Sequence, residues 1–232
     1  MTKRIQLIDA LRGIAVTLMV IHHALYNAVE FLGAPLWVFS NPVFDLLHYI
    51  FAGLFILLCG ISSRFSHSNI ARGLKTAAIA LVISAVTYFM NMPIIFGILH
   101  FLSFCMIFYG LTGKLWEKLT GVWFPILCAV LVAVSAWAVS HVAVDSKYLW
   151  VFGWIYPGFV SYDYFPLFPW VFVFLLGTWL GAPIKEHRLP EWFYNADMPL
   201  FPKIGRLSLI IYVIHQPILY GVTMVIKLLT NR

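Results

Sequence analysis

Seven apolar runs, at about 6–28, 42–62, 74–91, 94–113, 121–143, 166–183 and 206–229, restrict this chain to one class of environment. At roughly 18–25 residues each, they are long enough to cross a hydrocarbon layer as helices. None has the two-residue alternation of a barrel strand. A bilayer admits only helices or closed barrels, because every backbone N–H and C=O must be paired without water. The 232 residues are 62% hydrophobic and 10% charged, more apolar surface than a water-soluble domain can bury. The sequence therefore predicts an all-α polytopic membrane bundle of about seven transmembrane helices, in a single domain over 1–232 without internal repeats. The first run is the one that could pass for a cleaved signal. Asp9 and Arg12 interrupt it and no small-residue cleavage site follows, so it is expected to remain.

Charge sets the expected orientation. With the N-terminus cytoplasmic, the inner segments hold Lys3, Arg4, Arg64, Arg72, Lys75, Lys114, Lys118, Lys185, Arg188, Lys203 and Arg206, against Lys147, Lys227 and Arg232 outside. This 11 to 3 bias accounts for the net charge of +6 as a membrane signature and argues against nucleic-acid binding. Cys59, Cys105 and Cys128 stand alone in apolar runs with no C-x-x-C pair, and read as small buried hydrophobes rather than disulfide or metal ligands.

Polar residues inside the runs need a reason, since an ionisable group in lipid costs several kcal/mol. The first run, RIQLIDALRGIAVTLMVIHHALY, carries Asp9 and Arg12 near its cytoplasmic end and His22 and His23 in its outer third. At roughly 100° per residue, Asp9, Arg12, His23 and Tyr26 share one face, whereas His22 falls off it and is expected to pack against a neighbour. Asp45 and His48, three residues apart, are neighbours on the second run. His100 lies in the outer half of the fourth, Asp163 in SYDYFPLFPW before the sixth, and His215 near the middle of the last, beside Pro217. Taken singly, each has a structural explanation: Asp9 and Arg12 as an interfacial ion pair, His141 as an interfacial hydrogen-bonder, FPLFPW as a rigid helix start, His67 and His187 as solvated loop residues. Convergence of His23, Asp45, His48, His100 and Asp163 from several helices and a loop at similar depth points instead to one outward-opening polar cavity.

Four blocks in order, IDALRGIAVTLMVIHH, FGILHFLS (96–103), DYFPLFPW (163–170) and GRLSLIIYVIHQPILYG (205–221), resemble the bacterial branch of the heparan-alpha-glucosaminide N-acetyltransferase catalytic-domain family, over about residues 4 to 225. The resemblance implies a transmembrane acyltransferase in the bacterial inner membrane, with acetyl-CoA as acyl donor from the cytosol and a small polar acceptor, an amine or hydroxyl of amino-sugar type, on the outer side. It carries Asp9, Arg12 and Gly13 onto the opening motif, His23 onto the helix histidine of bacterial members, and His100 and His215 onto the later blocks. Animal members have a histidine in the first luminal loop that is held to be catalytic; residues 31–44 contain none. Three alternatives follow: a helix histidine acts instead, the acceptor differs, or the branch does another job.

The chemistry fits independently. Acyl transfer needs a base near neutrality, the usual task of histidine, and a carboxylate to orient it. His23, His100, Asp45 and His48 are the catalytic candidates, with His23 ahead of His100. Asp9, Arg12, Gly13 and Arg206 are the candidates for holding the anionic donor, and Asp163, Trp170 and His215 for the acceptor. No metal is expected, and a homodimer is the oligomeric state to test. Two other classes compete: a transporter with a His/Asp polar core, and a membrane cytochrome in which two of the histidines ligate haem.

Overall fold

A computed structural model describes residues 4–119 and 121–230; Lys3 and Arg232, counted in the charge bias, lie outside the described residues. The elements in order are α1 (Gln6–Leu32), α2 (Pro42–Arg64), α3 (Asn69–Phe89), α4 (Ile98–Trp116), α5 (Trp123–His141), α6 (Leu167–Lys185), α7 (Glu191–Asn195), α8 (Phe201–Arg206) and α9 (Ser208–Thr230), with 3-10 turns at Leu36–Val38 and Leu149–Phe152. Seven helices are long and apolar enough to cross a membrane, and no strand occurs among the described residues. The protein is an all-α, integral membrane bundle. Large apolar side chains such as Leu81, Val82, Val130 and Leu228 project outward, as contact with lipid requires.

Local chemistry moves three helix ends away from the hydropathy runs. The first helix continues to Leu32 and stops where Gly33 turns left-handed at φ 70°, with the Ala34 N–H closing onto the Ala28 carbonyl at 3.1 Å. The third starts five residues early, at Asn69, because the Ser68 hydroxyl accepts from the Ala71 N–H at 3.2 Å and caps it, which takes Arg72 and Lys75 into its first two turns. The fourth starts late, at Ile98. The segment before it instead runs beside the stretch ahead of α6, with Tyr162 N–H on the Pro93 carbonyl at 3.0 Å and Phe165 N–H on the Phe96 carbonyl at 2.8 Å.

The chain forms two compact units, Met1–Phe55 with Leu189–Arg232, and Ile56–Arg188. In the first, α1 packs on α8 and α9. The crossing of α1 with α8 is so close that a Cβ on Gly13 would strike the Phe201 carbonyl, and one on Gly205 the Asp9 carbonyl. Ala10, Ala15 and Val16 of α1 are at most 2% exposed. Small residues are how helices approach in lipid, where dispersion and close backbone contact replace the hydrophobic effect. In the second unit α3 packs on α4 and α5 on α6, and Gly60 and Gly177 again meet backbone to backbone. Phe101, Cys105 and Phe174 are fully buried there; Cys128 is buried and Cys59 half-buried, all three cysteines free.

Candidate functional site

The first unit holds two polar centres on α1. At its start, Asp9 is only 3% exposed and is ringed by guanidiniums. Arg4 Nε and Nη2 donate to its two oxygens at 2.5 and 3.3 Å, Arg12 Nη1 donates at 2.9 Å, and Arg206 Nε stands 3.6 Å away. One buried carboxylate thus anchors three arginines and leaves an excess of two positive charges, a setting for a phosphate-bearing anion. Arg12 is one turn from Asp9 on the same helix. Arg206 arrives from α8, which can come this near only because Gly13 and Gly205 lack side chains. The expected Asp9, Arg12 and Arg206 therefore meet, and Gly13 is packed against backbone beside them. Arg4 was not anticipated: it precedes the apolar run, where a lone arginine reads as a flanking charge.

Eleven residues beyond Arg12 on α1, about 16 Å at 1.5 Å per residue, lies the second centre. His23 Nδ1 and His215 Nε2 are 2.8 Å apart, joining α1 to α9. Their protonation pattern follows from one further contact. His215 Nδ1 is 2.7 Å from the Tyr212 carbonyl, which can only accept, so that nitrogen carries the hydrogen. The Nε2 of a neutral His215 then has only a lone pair and accepts from His23 Nδ1–H. His23 in turn keeps a lone pair on Nε2, which no described residue engages. His215 is buried and His23 half-buried, so the pair presents one oriented base on one side. One turn beyond, Gln216 Nε2 donates to Asn27 Oδ1 at 3.1 Å and closes the same seam.

The imidazoles extend outward from this pair. His22, placed off the polar face by helical geometry, lies tilted against His48 of α2 with ring centroids 4.7 Å apart and against Phe39 at 4.8 Å, and is 5.9 Å from His23. His48 follows Asp45 by one turn, and Asp45 is exposed. Four histidines thus lie in sequence, His215, His23, His22 and His48. His22 packs against a neighbour as the sequence implied; that the neighbour is His48 of another helix cannot be read from α1 alone.

His100 and Asp163 belong to the second unit, each with neighbours there. The Asp163 carboxylate accepts from the Ile98 N–H at 3.0 Å and so caps α4, where a negative charge opposes the helix dipole. His100, in the first turn of α4, accepts at Nδ1 from the Gly97 N–H at 3.3 Å. Its Nε2–H then donates to the Ser84 hydroxyl at 3.2 Å, which donates to the Ile94 carbonyl at 2.5 Å. Both of its nitrogens are committed. Nearby, burial pushes the Tyr164 phenol up to about 12, and its hydroxyl donates to the Trp150 carbonyl at 2.5 Å. Trp170 packs near Phe165 with centroids 5.6 Å apart.

A family model described as the catalytic part of heparan-alpha-glucosaminide N-acetyltransferase matches residues 4–217 of the 232. Comparison with curated proteins and with solved structures gave no match.

Proposed function

The chain belongs to the heparan-alpha-glucosaminide N-acetyltransferase catalytic family and is a transmembrane acetyltransferase, and from its first unit we propose how it works. The donor is acetyl-CoA from the cytosol of a bacterial cell whose inner membrane holds the protein. The acceptor is an amine or hydroxyl of a small, amino-sugar-like molecule on the outer side. The family match over residues 4–217 draws on both units and supports reading 1–232 as one acyltransferase domain. The transporter and cytochrome readings give way to it.

The observation that carries this reading is the hydrogen bond between His23 and His215, because it leaves a lone pair on His23 Nε2. Acetyl-CoA supplies an acetyl group on a thioester whose thiolate can leave. The arginine ring around Asp9 fits the phosphates of such a donor: Arg12 and Arg206 bind them, Arg4 assists, and Asp9 holds the three in place. Gly13 contributes indirectly, by admitting α8 and with it Arg206. The helix length between Arg12 and His23 suits an extended pantetheine arm. Transfer joins the acceptor nitrogen or oxygen to the acetyl carbon, breaks the carbon–sulfur bond, and moves one proton from acceptor to thiolate. His23 receives that proton on Nε2 and later returns it, while His215 fixes the ring and shares the positive charge. His100, with both nitrogens engaged, supports α4 in this scheme.

Calorimetric titration of the detergent-purified protein with acetyl-CoA tests the donor site. The wild type binds, and Arg12→Ala loosens binding by about ten- to a hundredfold, the effect of losing one charge-assisted hydrogen bond of roughly 1.5–3 kcal/mol. Absence of binding to the wild type, or unchanged binding by the variant, contradicts the assignment.

A further inference from the structure

We propose that His22, His48 and Asp45 form a proton exit that clears His23 during each turnover on an amine acceptor. The inference rests on the acetyltransferase reading and on the row of imidazoles leading away from the base.

Proton balance creates the need. At neutral pH an amine acceptor arrives as an ammonium ion, and only the free amine attacks. Acetylation converts R–NH3⁺ and the thioester into the amide, the thiol and one free proton. Two protons therefore leave the nitrogen. The first comes off before attack, and the second during it, when the carbon–sulfur bond breaks and the thiolate takes that second proton. His23 Nε2 can handle both only if it releases the first before the second arrives. On its other side His215 offers no outlet: its Nδ1–H is held by the Tyr212 carbonyl, and it is buried.

The exit lies the other way. His22 neighbours His23, with ring centroids 5.9 Å apart, and its ring contacts that of His48 at 4.7 Å. The Asp45 carboxylate acts electrostatically on both His22 and His48 and is itself exposed. Burial falls along the row, from His215 through half-buried His23, His22 and His48 to Asp45. Among the other titratable groups here, Tyr26 and Tyr49 make ring contacts with Phe39 and His48 and Tyr212 with His215, while Glu30 on α1 and Tyr220 and Lys227 on α9 lie further along those helices. Imidazole passes a proton by gaining it on one nitrogen and losing it from the other, and a terminal carboxylate hands it to water. A phenyl ring preserves these ring contacts and cannot do this.

The test compares wild type with His22→Phe/His48→Phe, using acetyl-CoA and glucosamine. Its amine, like an α-amino group, titrates near about 8. At pH 6.5 the double variant shows kcat lower by about tenfold or more, with KM for acetyl-CoA unchanged. Added imidazole buffer restores the rate, and the defect nearly vanishes at pH 9, where the acceptor arrives already deprotonated. Wild-type kcat in the variant at pH 6.5 overturns the proton exit, as does a defect that is equal at both pH values and unmoved by imidazole. If the wild type itself transfers no acetyl group, the acetyltransferase reading falls and the exit with it.

Discussion

Replacing His23 by alanine lowers kcat for acetyl transfer by about 10²–10⁴-fold, the range over which general-base catalysis acts, while acetyl-CoA still binds. The expectation rests on the lone pair that the hydrogen-bond sequence from the Tyr212 carbonyl through His215 leaves on His23 Nε2. The same sequence makes the loss specific to the chemical step, because the arginine ring is about eleven residues away along α1. His215→Phe has a smaller effect on kcat: the base remains but its ring orientation and tautomer are no longer held. Turnover of labelled acetyl-CoA beside calorimetric binding separates the two. Full activity in His23→Ala contradicts the assignment.

Asp9→Leu lowers stability by about 3 kcal/mol and reduces acetyl-CoA affinity. Removing one partner of a buried ion pair typically costs about 3–5 kcal/mol, and the low end applies because Arg4 and Arg206 side chains are 60% and 47% exposed and can rehydrate. Arg12, at 18%, has less access to water and is left beside an apolar side chain. The three cations then repel one another and no longer hold a fixed geometry for phosphates. Thermal unfolding in detergent reads the first effect and titration the second; an unchanged midpoint contradicts the role given to Asp9.

The seven spans were legible because length and apolarity are dictated by the bilayer, whatever the packing. Their ends were less so. Ser68 begins α3 among charged residues that hydropathy assigns to a loop, and the apolar stretch before Ile98 is extended because its backbone pairs with residues ahead of α6. Helix α8 was missed entirely: six residues with a proline and a glycine carry no periodic signal, yet they bring Arg206 to Asp9. Asp9 and Arg12 were readable as a local pair at one-turn spacing. His23 and His215 were each singled out, but a bond between residues 192 apart follows only from the packing of α1 on α9. His22 does pack against a neighbour as its helical phase implied, but that the neighbour is His48 of α2 follows only from tertiary packing.

The central claim is that an acetyl group passes from the arginine end of α1 to an acceptor at the histidine end, on the opposite face of the membrane. Purified protein in sealed vesicles, with radiolabelled acetyl-CoA added outside and glucosamine trapped inside, tests it most directly. Labelled N-acetylglucosamine accumulates within the vesicles if the claim holds. No product, or product only when donor and acceptor share a compartment, contradicts it.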